Sequence, residues 1–202
     1  MLLTGLLPDI STDPAIETAT DSIEAGRSGT IVAPVGIRPP LLAAVATRAA
    51  TPLVVLTATG RDAETLTNAL ASWIPGVAML PAWETLPHER LSPQVDTMAR
   101  RIAVLRRLVH PVAGDESAGP ISVLVVPIRA FLQPIISGLA DLEPVRVRTG
   151  DILDLTETTN RLAELGYERV DMVEGRGQMR VRGGLLDVFP PQAPHPLRVD
   201  MW

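Results

Sequence analysis

The chain has 202 residues and a formal net charge of −5, and 46% of its residues are hydrophobic. This composition excludes intrinsic disorder and supports a buried core in one large or two small domains. All 18 basic residues are arginines, and there is no cysteine. Lysine-based catalysis, thiol catalysis, disulfides and cysteine-ligated zinc are therefore excluded.

Neither half of the chain is basic. Up to residue 137 there are 10 arginines and 12 acidic residues, and after it there are 8 and 11. This balance gives no electrostatic reason to expect DNA binding by the chain itself. No apolar run approaches the roughly 18–20 residues of a membrane span, and the first eight residues lack the basic start of a signal peptide. We therefore expect a cytoplasmic protein without membrane contact.

The first part of the chain alternates short apolar runs with stretches of helical periodicity. Strands are predicted at 30–33, 53–56, 77–80 and 122–126, and helices at 39–50, 61–73 and 94–109. The strands show no internal polar alternation and are separated by helices, which indicates a parallel sheet covered on both faces.

The pattern changes near residue 137. A helix is predicted at 155–165, ended by Gly166, and short strands follow at 167–174, 178–182, 185–189 and 197–201. Short strands joined by tight turns are typical of an antiparallel sheet. The fold class predicted is thus α/β, with a parallel-sheet unit over 1–137 and a small α+β unit with an antiparallel sheet over 138–202. Because the chain stops inside a strand-like run, we expect it to be a fragment.

Residues 33–40 occupy the place of a phosphate-binding loop, between a predicted strand and a helix. Such a loop binds phosphate with backbone N–H groups and a lysine, and holds magnesium with a Ser or Thr hydroxyl. In this segment three prolines remove N–H donors, and both the lysine and the hydroxyl are missing. We interpret Val35, Gly36, Ile37 and Arg38 as a degenerate loop and expect no nucleotide cofactor.

The segment 80–93 holds three side chains that could act in acid–base chemistry or bind a metal, namely Glu84, His88 and Glu89. Both uses need side chains held on a common face. The segment lacks helical H-E-x-x-H spacing and contains three prolines. A rigid surface loop pinned by Trp83 is therefore the favoured interpretation, and we predict neither a catalytic residue nor a metal site.

Arginines alternate with apolar residues on either side of the Gly-rich turn at 175–177. If the flanking strands pair across this turn, alternation places three arginines on one solvent face. These are Arg169, Arg180 and Arg182. Guanidinium groups on rigid strands suit the carboxylates of a partner. The alternative is an ordinary exposed face compensated by Asp171 and Glu174, and the spacing leaves both interpretations open.

Several motifs in register resemble those of bacterial transcription-repair-coupling factors (Mfd). They are W-E-T-L-P at 83–87, T-G-D-I-L at 149–153, G-Y-E-R-V at 166–170 and V-R-G-G-L-L-D-V-F-P at 181–190. The resemblance runs from about residue 30 to the end of the chain. This region of the family is itself similar to domains 1a and 2 of the excision-repair helicase UvrB.

The resemblance implies a non-catalytic module that recruits UvrA. The arginines with which UvrB contacts UvrA match Arg169, Arg180 and Arg182. A full-length factor is an ATP-dependent DNA translocase that displaces stalled RNA polymerase and initiates nucleotide excision repair. Its ATP and magnesium sites, and its contacts to polymerase and DNA, lie in regions that this chain does not include. Two alternatives remain: a UvrB-type ATP-dependent repair helicase module, and an autoinhibitory domain that contacts only other domains of its own chain.

Overall fold

The structure, a computed structural model, describes residues 3–85, 93–115, 117–191, 193 and 195–201. Two compact units make up the chain, which are Met1–Ala82 with Val104–Ile136, and Trp83–Ala103 with Ser137–Trp202. The change of unit at Ile136 lies beside the predicted division, whereas the segment Trp83–Ala103 groups with the second unit. None of the helices in the described part is long and apolar enough to cross a membrane.

The first unit combines helices with a parallel sheet. In chain order its elements are α1 (Leu7–Ser11), α2 (Pro14–Glu24), α3 (Arg38–Arg48), β1 (Leu53–Thr57), α4 (Gly60–Leu70), β2 (Val77–Met79), α5 (Val95–Val109, which begins in the second unit), β3 (Val123–Pro127) and α6 (Ile128–Phe131). The strand order is β1-β3-β2, and both pairings are parallel. Every residue of β3 is buried, as expected for a central strand covered on both faces. The predicted parallel-sheet unit is confirmed.

The strand predicted at 30–33 is wrong. The structure has no strand there, and Val32 is 96% exposed. A strand needs a neighbour to pair its N–H and C=O groups, and the sheet of this unit pairs only β1, β3 and β2 among the described residues. An apolar run of four residues is consistent with a strand but does not supply that neighbour.

Helix α2 is an element that the sequence interpretation missed. It begins with Pro14 in its first turn, and the side chain of Asp13 accepts a hydrogen bond from the N–H of Ala15. An acidic cap followed by proline is a helix-start signal that is visible in the sequence. Ile16 and Thr20, one turn apart, form the buried side of the helix.

The second unit has its own sheet and one helix. Its elements are α7 (Leu155–Glu164), β4 (Glu168–Arg169), β5 (Gln178–Arg182), β6 (Leu185–Val188) and β7 (Leu197–Asp200). The order is β4-β5-β6-β7, and the last three strands are antiparallel. One face of this sheet buries Met179, Leu186 and Val188 together with Leu162 of α7. The predicted α+β unit is confirmed, and its sheet is mixed because β4 is parallel to β5.

The predicted strand 167–174 is therefore wrong beyond Arg169, and so is its antiparallel pairing with β5. After β4 the chain leaves the sheet and returns in the same direction before it enters β5. The side-chain oxygen of Gln178 holds this return by accepting hydrogen bonds from the N–H groups of Glu174 and Gly175. Gly177 has a φ of +79°, which only glycine adopts without strain.

Three side-chain contacts within the second unit involve the segment Trp83–Ala103. The guanidinium of Arg101 lies over the ring of Trp83, 4.5 Å from its centroid. The hydroxyl of Thr97 donates a hydrogen bond to the carboxylate of Glu84. Asp96 faces Arg176, with oxygen and nitrogen 3.8 Å apart. The first two contacts lie within the segment, and the third joins it to the rest of the second unit.

Candidate partner-docking site

A shallow groove of about 600 Å³ crosses the edge of the second sheet. It is lined by two triplets of consecutive residues, which are Arg169, Val170 and Asp171 at the end of β4 and Arg180, Val181 and Arg182 of β5. The three arginines predicted from the sequence therefore line one groove.

The alternation of β5 orients two of these arginines. Met179 is buried and Val181 packs against the same apolar cluster, as the alternation predicted. Successive side chains of a strand point to opposite faces. Arg180 and Arg182 therefore lie on the face away from the core.

Arg169 lines the groove through a strand pairing that differs from the predicted one. In the parallel pairing it lies opposite Met179, not opposite Arg180 or Arg182. It lies on a two-residue edge strand and is exposed. The predicted hairpin would have placed it on the arginine face of the sheet, whereas the structure places it at the edge of the groove.

The three guanidinium groups of the groove form no hydrogen bond and no ion pair with any residue in the described part of the chain. Asp171 lines the groove without pairing with them, and the carboxylate of Glu174 forms no ion pair with the residues described. Among the described residues, Asp171 and Glu174 therefore do not compensate the three arginines through ion pairs, as the alternative interpretation proposes. Each guanidinium keeps its donors available for a ligand.

Another arginine is paired, in contrast, and it lies on the same outer face as Arg180 and Arg182. Arg180, Asp187 and Arg198 stand opposite one another across β5, β6 and β7. Arg198 donates two hydrogen bonds to the carboxylate of Asp187, at 2.6 and 2.9 Å. These bonds, with a smaller contribution from the charge of Arg180, hold the pKa of Asp187 below its ordinary value. We did not predict this pair, although the alternation of β6 and β7 places both residues on the outer face.

The predicted degenerate phosphate loop has few N–H donors. Val35–Ile37 forms a single 3-10 turn after Pro34, and α3 begins at Arg38. Pro39 and Pro40 stand in the first turn of α3, where a helix would otherwise offer N–H groups to an anion. The absence of a nucleotide site at Val35–Arg38 stays a prediction.

The acidic and histidine side chains of 80–93 are only partly described. Glu84 accepts the hydrogen bond of Thr97, whereas His88 and Glu89 lie outside the described residues. Among the residues that the structure describes, no group of three or more His, Cys, Asp or Glu side chains could hold a metal ion. The prediction that this segment carries no catalytic or metal-binding role stays a prediction.

The groove lies in a region with a recognisable family. Residues 145–202 match the UvrB interaction domain, and all six residues of the groove fall in this range. The second sheet therefore lies in the part of the chain that is similar to this domain.

Longer similarities point to a particular kind of protein. The chain is 48% identical to the transcription-repair-coupling factor of Mycobacterium tuberculosis over 175 residues, which is 86% of this chain and 14% of that protein. It is 29% identical to the Escherichia coli factor over 164 residues, 80% of this chain and 14% of that protein. The chain is thus homologous to part of these factors and spans only about a seventh of their length. The resemblance predicted from the motifs is confirmed.

A shorter similarity joins the chain to the excision-repair system. UvrABC system protein B of Aliivibrio fischeri is 44% identical over 59 residues, which is 29% of this chain and 9% of that protein. An alignment of this length cannot contain both the loop at Val35 and the groove at Arg182. The similarity to protein B is therefore local.

Proposed function

We propose that this chain is a non-catalytic recruitment module that docks UvrA through Arg169, Arg180 and Arg182. The observation that carries the proposal is the groove itself, which is lined by three arginines without ion pairs to the described residues and falls in the range that matches the UvrB interaction domain. The relatives named above are transcription-repair-coupling factors, which supports a role at the step where repair proteins are brought to damaged DNA.

The chemistry of the groove suits an acidic protein surface. A guanidinium donates two parallel hydrogen bonds to a carboxylate, and such charge-assisted bonds are about twice as strong as neutral ones. Two of the three arginines lie on a strand whose other face is fixed in the core, which reduces the ordering cost of binding. Asp171 in the groove and the acidic balance of this unit disfavour nucleic acid as the ligand.

The remaining activities belong to the whole protein in this proposal. ATP and magnesium would bind in a motor that displaces stalled RNA polymerase on DNA, in parts of the full-length protein that this chain does not include. The chain spans 14% of the coupling factors, so these activities and partners rest on homology to them. Within this chain we propose no catalytic residue, no cofactor and no metal site.

Binding of purified UvrA to the chain tests the proposal. We expect Arg180→Ala and Arg182→Ala each to weaken binding about tenfold or more, since each removes charge-assisted hydrogen bonds. The free energy of unfolding is expected to change by only about 0.5 kcal/mol, as for most exposed substitutions.

Arg146→Ala is the matched control, because Arg146 is exposed in the same unit and lies outside the groove. It is expected to bind UvrA as the wild type does. Retention of wild-type affinity by the triple variant of Arg169, Arg180 and Arg182 would show that the groove is not the docking site.

A further inference from the structure

Beside the arginine groove lies a second pocket of about 340 Å³ on the outer side of the same sheet. Its lining combines apolar and charged residues, which are Met172, Val173, Arg180, Asp187, Pro196, Leu197 and Arg198. Arg180 lines both the groove and this pocket, so the two adjoin at this residue. We propose that this pocket is a second subsite for the same acidic partner and that it takes an apolar side chain. This inference rests on the proposed function.

The charges of the second pocket are largely satisfied within the protein. Both carboxylate oxygens of Asp187 accept hydrogen bonds from Arg198, so these two charges in the lining offset each other. A charged ligand group would have to compete with this bidentate pair. The pocket therefore favours an uncharged group beside the carboxylates that bind the groove.

The apolar residues of the pocket expose side-chain surface that a bound partner could bury. Met172 is 65% exposed and Val173 is partly exposed, and both line the same pocket. One exposed apolar side chain is ordinary, whereas apolar side chains gathered in a concave site with a polar rim are typical of an interaction surface. Methionine also adapts its shape to ligands better than branched side chains do.

The position of Arg180 determines where the carboxylate and the apolar side chain of the partner lie relative to each other. A carboxylate bound by Arg180 lies at the junction of the two sites, and the next side chains of the same segment extend into one or the other. The occupant is thus an acidic segment of the partner protein in which an apolar residue stands within a few positions of a carboxylate. In interfaces of this kind, buried apolar anchors supply much of the affinity and charges supply specificity.

The double variant Met172→Ser with Val173→Ser tests the subsite in a UvrA binding titration. We expect about tenfold weaker binding, because apolar burial is lost while the arginines remain. The salt dependence of binding is expected to match the wild type, whereas Arg182→Ala lowers it, since only the arginine contacts are screened by salt. Ile152→Ser is the matched control, because Ile152 is fully exposed in the same unit and lines neither site.

The outcomes separate the two proposals. Wild-type affinity of the double variant, together with weakened binding by Arg182→Ala, would overturn the subsite and leave the proposed function standing. Absence of UvrA binding by the wild-type chain would overturn both. Met172→Leu keeps the apolar surface and is expected to bind as the wild type does, so weak binding by this variant would also count against the subsite.

Discussion

The contact between Arg101 and Trp83 is expected to contribute about 2 kcal/mol to the stability of the second unit. Arg101 is only 1% exposed, and its guanidinium carbon lies 4.5 Å from the ring centroid. Burial lowers the pKa of Arg101, yet an arginine keeps its charge in a protein. A cation held over an aromatic face is worth about 0.5–1 kcal/mol when exposed and about 2 kcal/mol or more when desolvated.

A double-mutant cycle measures this contact. The single variants Arg101→Met and Trp83→Leu and the double variant are compared with the wild type by urea unfolding, followed by circular dichroism. The cycle isolates the pairwise energy even though each side chain has other neighbours. Amide hydrogen exchange of the single variants should rise at the two ends of Trp83–Ala103, because the contact joins these ends to each other.

The chain offers an internal control for the cycle. Arg176 lies over the ring of Phe189 at 5.3 Å from the centroid, and its side chain is 44% exposed. The same cycle on this pair is expected to give less than about 1 kcal/mol. A coupling energy for Arg101 and Trp83 equal to or below that of the exposed pair would refute the reasoning that burial strengthens the contact.

Two further predictions concern the second unit. Hydrogen bonds from Arg198 lower the pKa of Asp187 in the folded protein. The ionised carboxylate therefore stabilises the folded protein fully above the ordinary aspartate pKa of about 3.9. This stabilisation is lost as the pH falls through the lower pKa of the folded state. Unfolding free energies of wild type and Asp187→Asn at a series of pH values test this, and a pH-independent difference contradicts it. Gly177→Ala is expected to destabilise by about 1–3 kcal/mol, since a Cβ there would lie 2.8 Å from Cγ1 of Val95 at a φ of +79°. Gly114→Ala, at a φ of +81° with open space around it, should cost less in the same denaturation assay.

The features that local pattern decides were predictable from the sequence. The bounds of β5 and the inward positions of Met179 and Val181 follow from alternation within five residues. The parallel pairing of β4 was not predictable, because the return of the chain depends on hydrogen bonds to Gln178 and on the conformation of Gly177. Turn glycines between two apolar runs indicate a hairpin, and only non-local contacts exclude one.

In the candidate site, too, some positions were predictable from the sequence and others were not. Arg180 and Arg182 follow from the strand that carries them, whereas Arg169 joins the groove through the edge position of β4. Burial of Arg101 was not visible either, since it depends on Trp83, which stands outside α5. Sequence spacing therefore locates residues within one element and does not show which residues of another element reach them.

The register of the second sheet decides which arginines are available to a partner. Arg180 and Arg198 flank Asp187 on the same row, and Arg198 occupies both carboxylate oxygens. Arg180 thus keeps its donors although it faces an acid. A one-residue slip of β5 would turn its arginines toward the core and its buried Met179 toward solvent. The burial of Met179 opposes this slip, so the apolar face of the sheet keeps the arginine face in place.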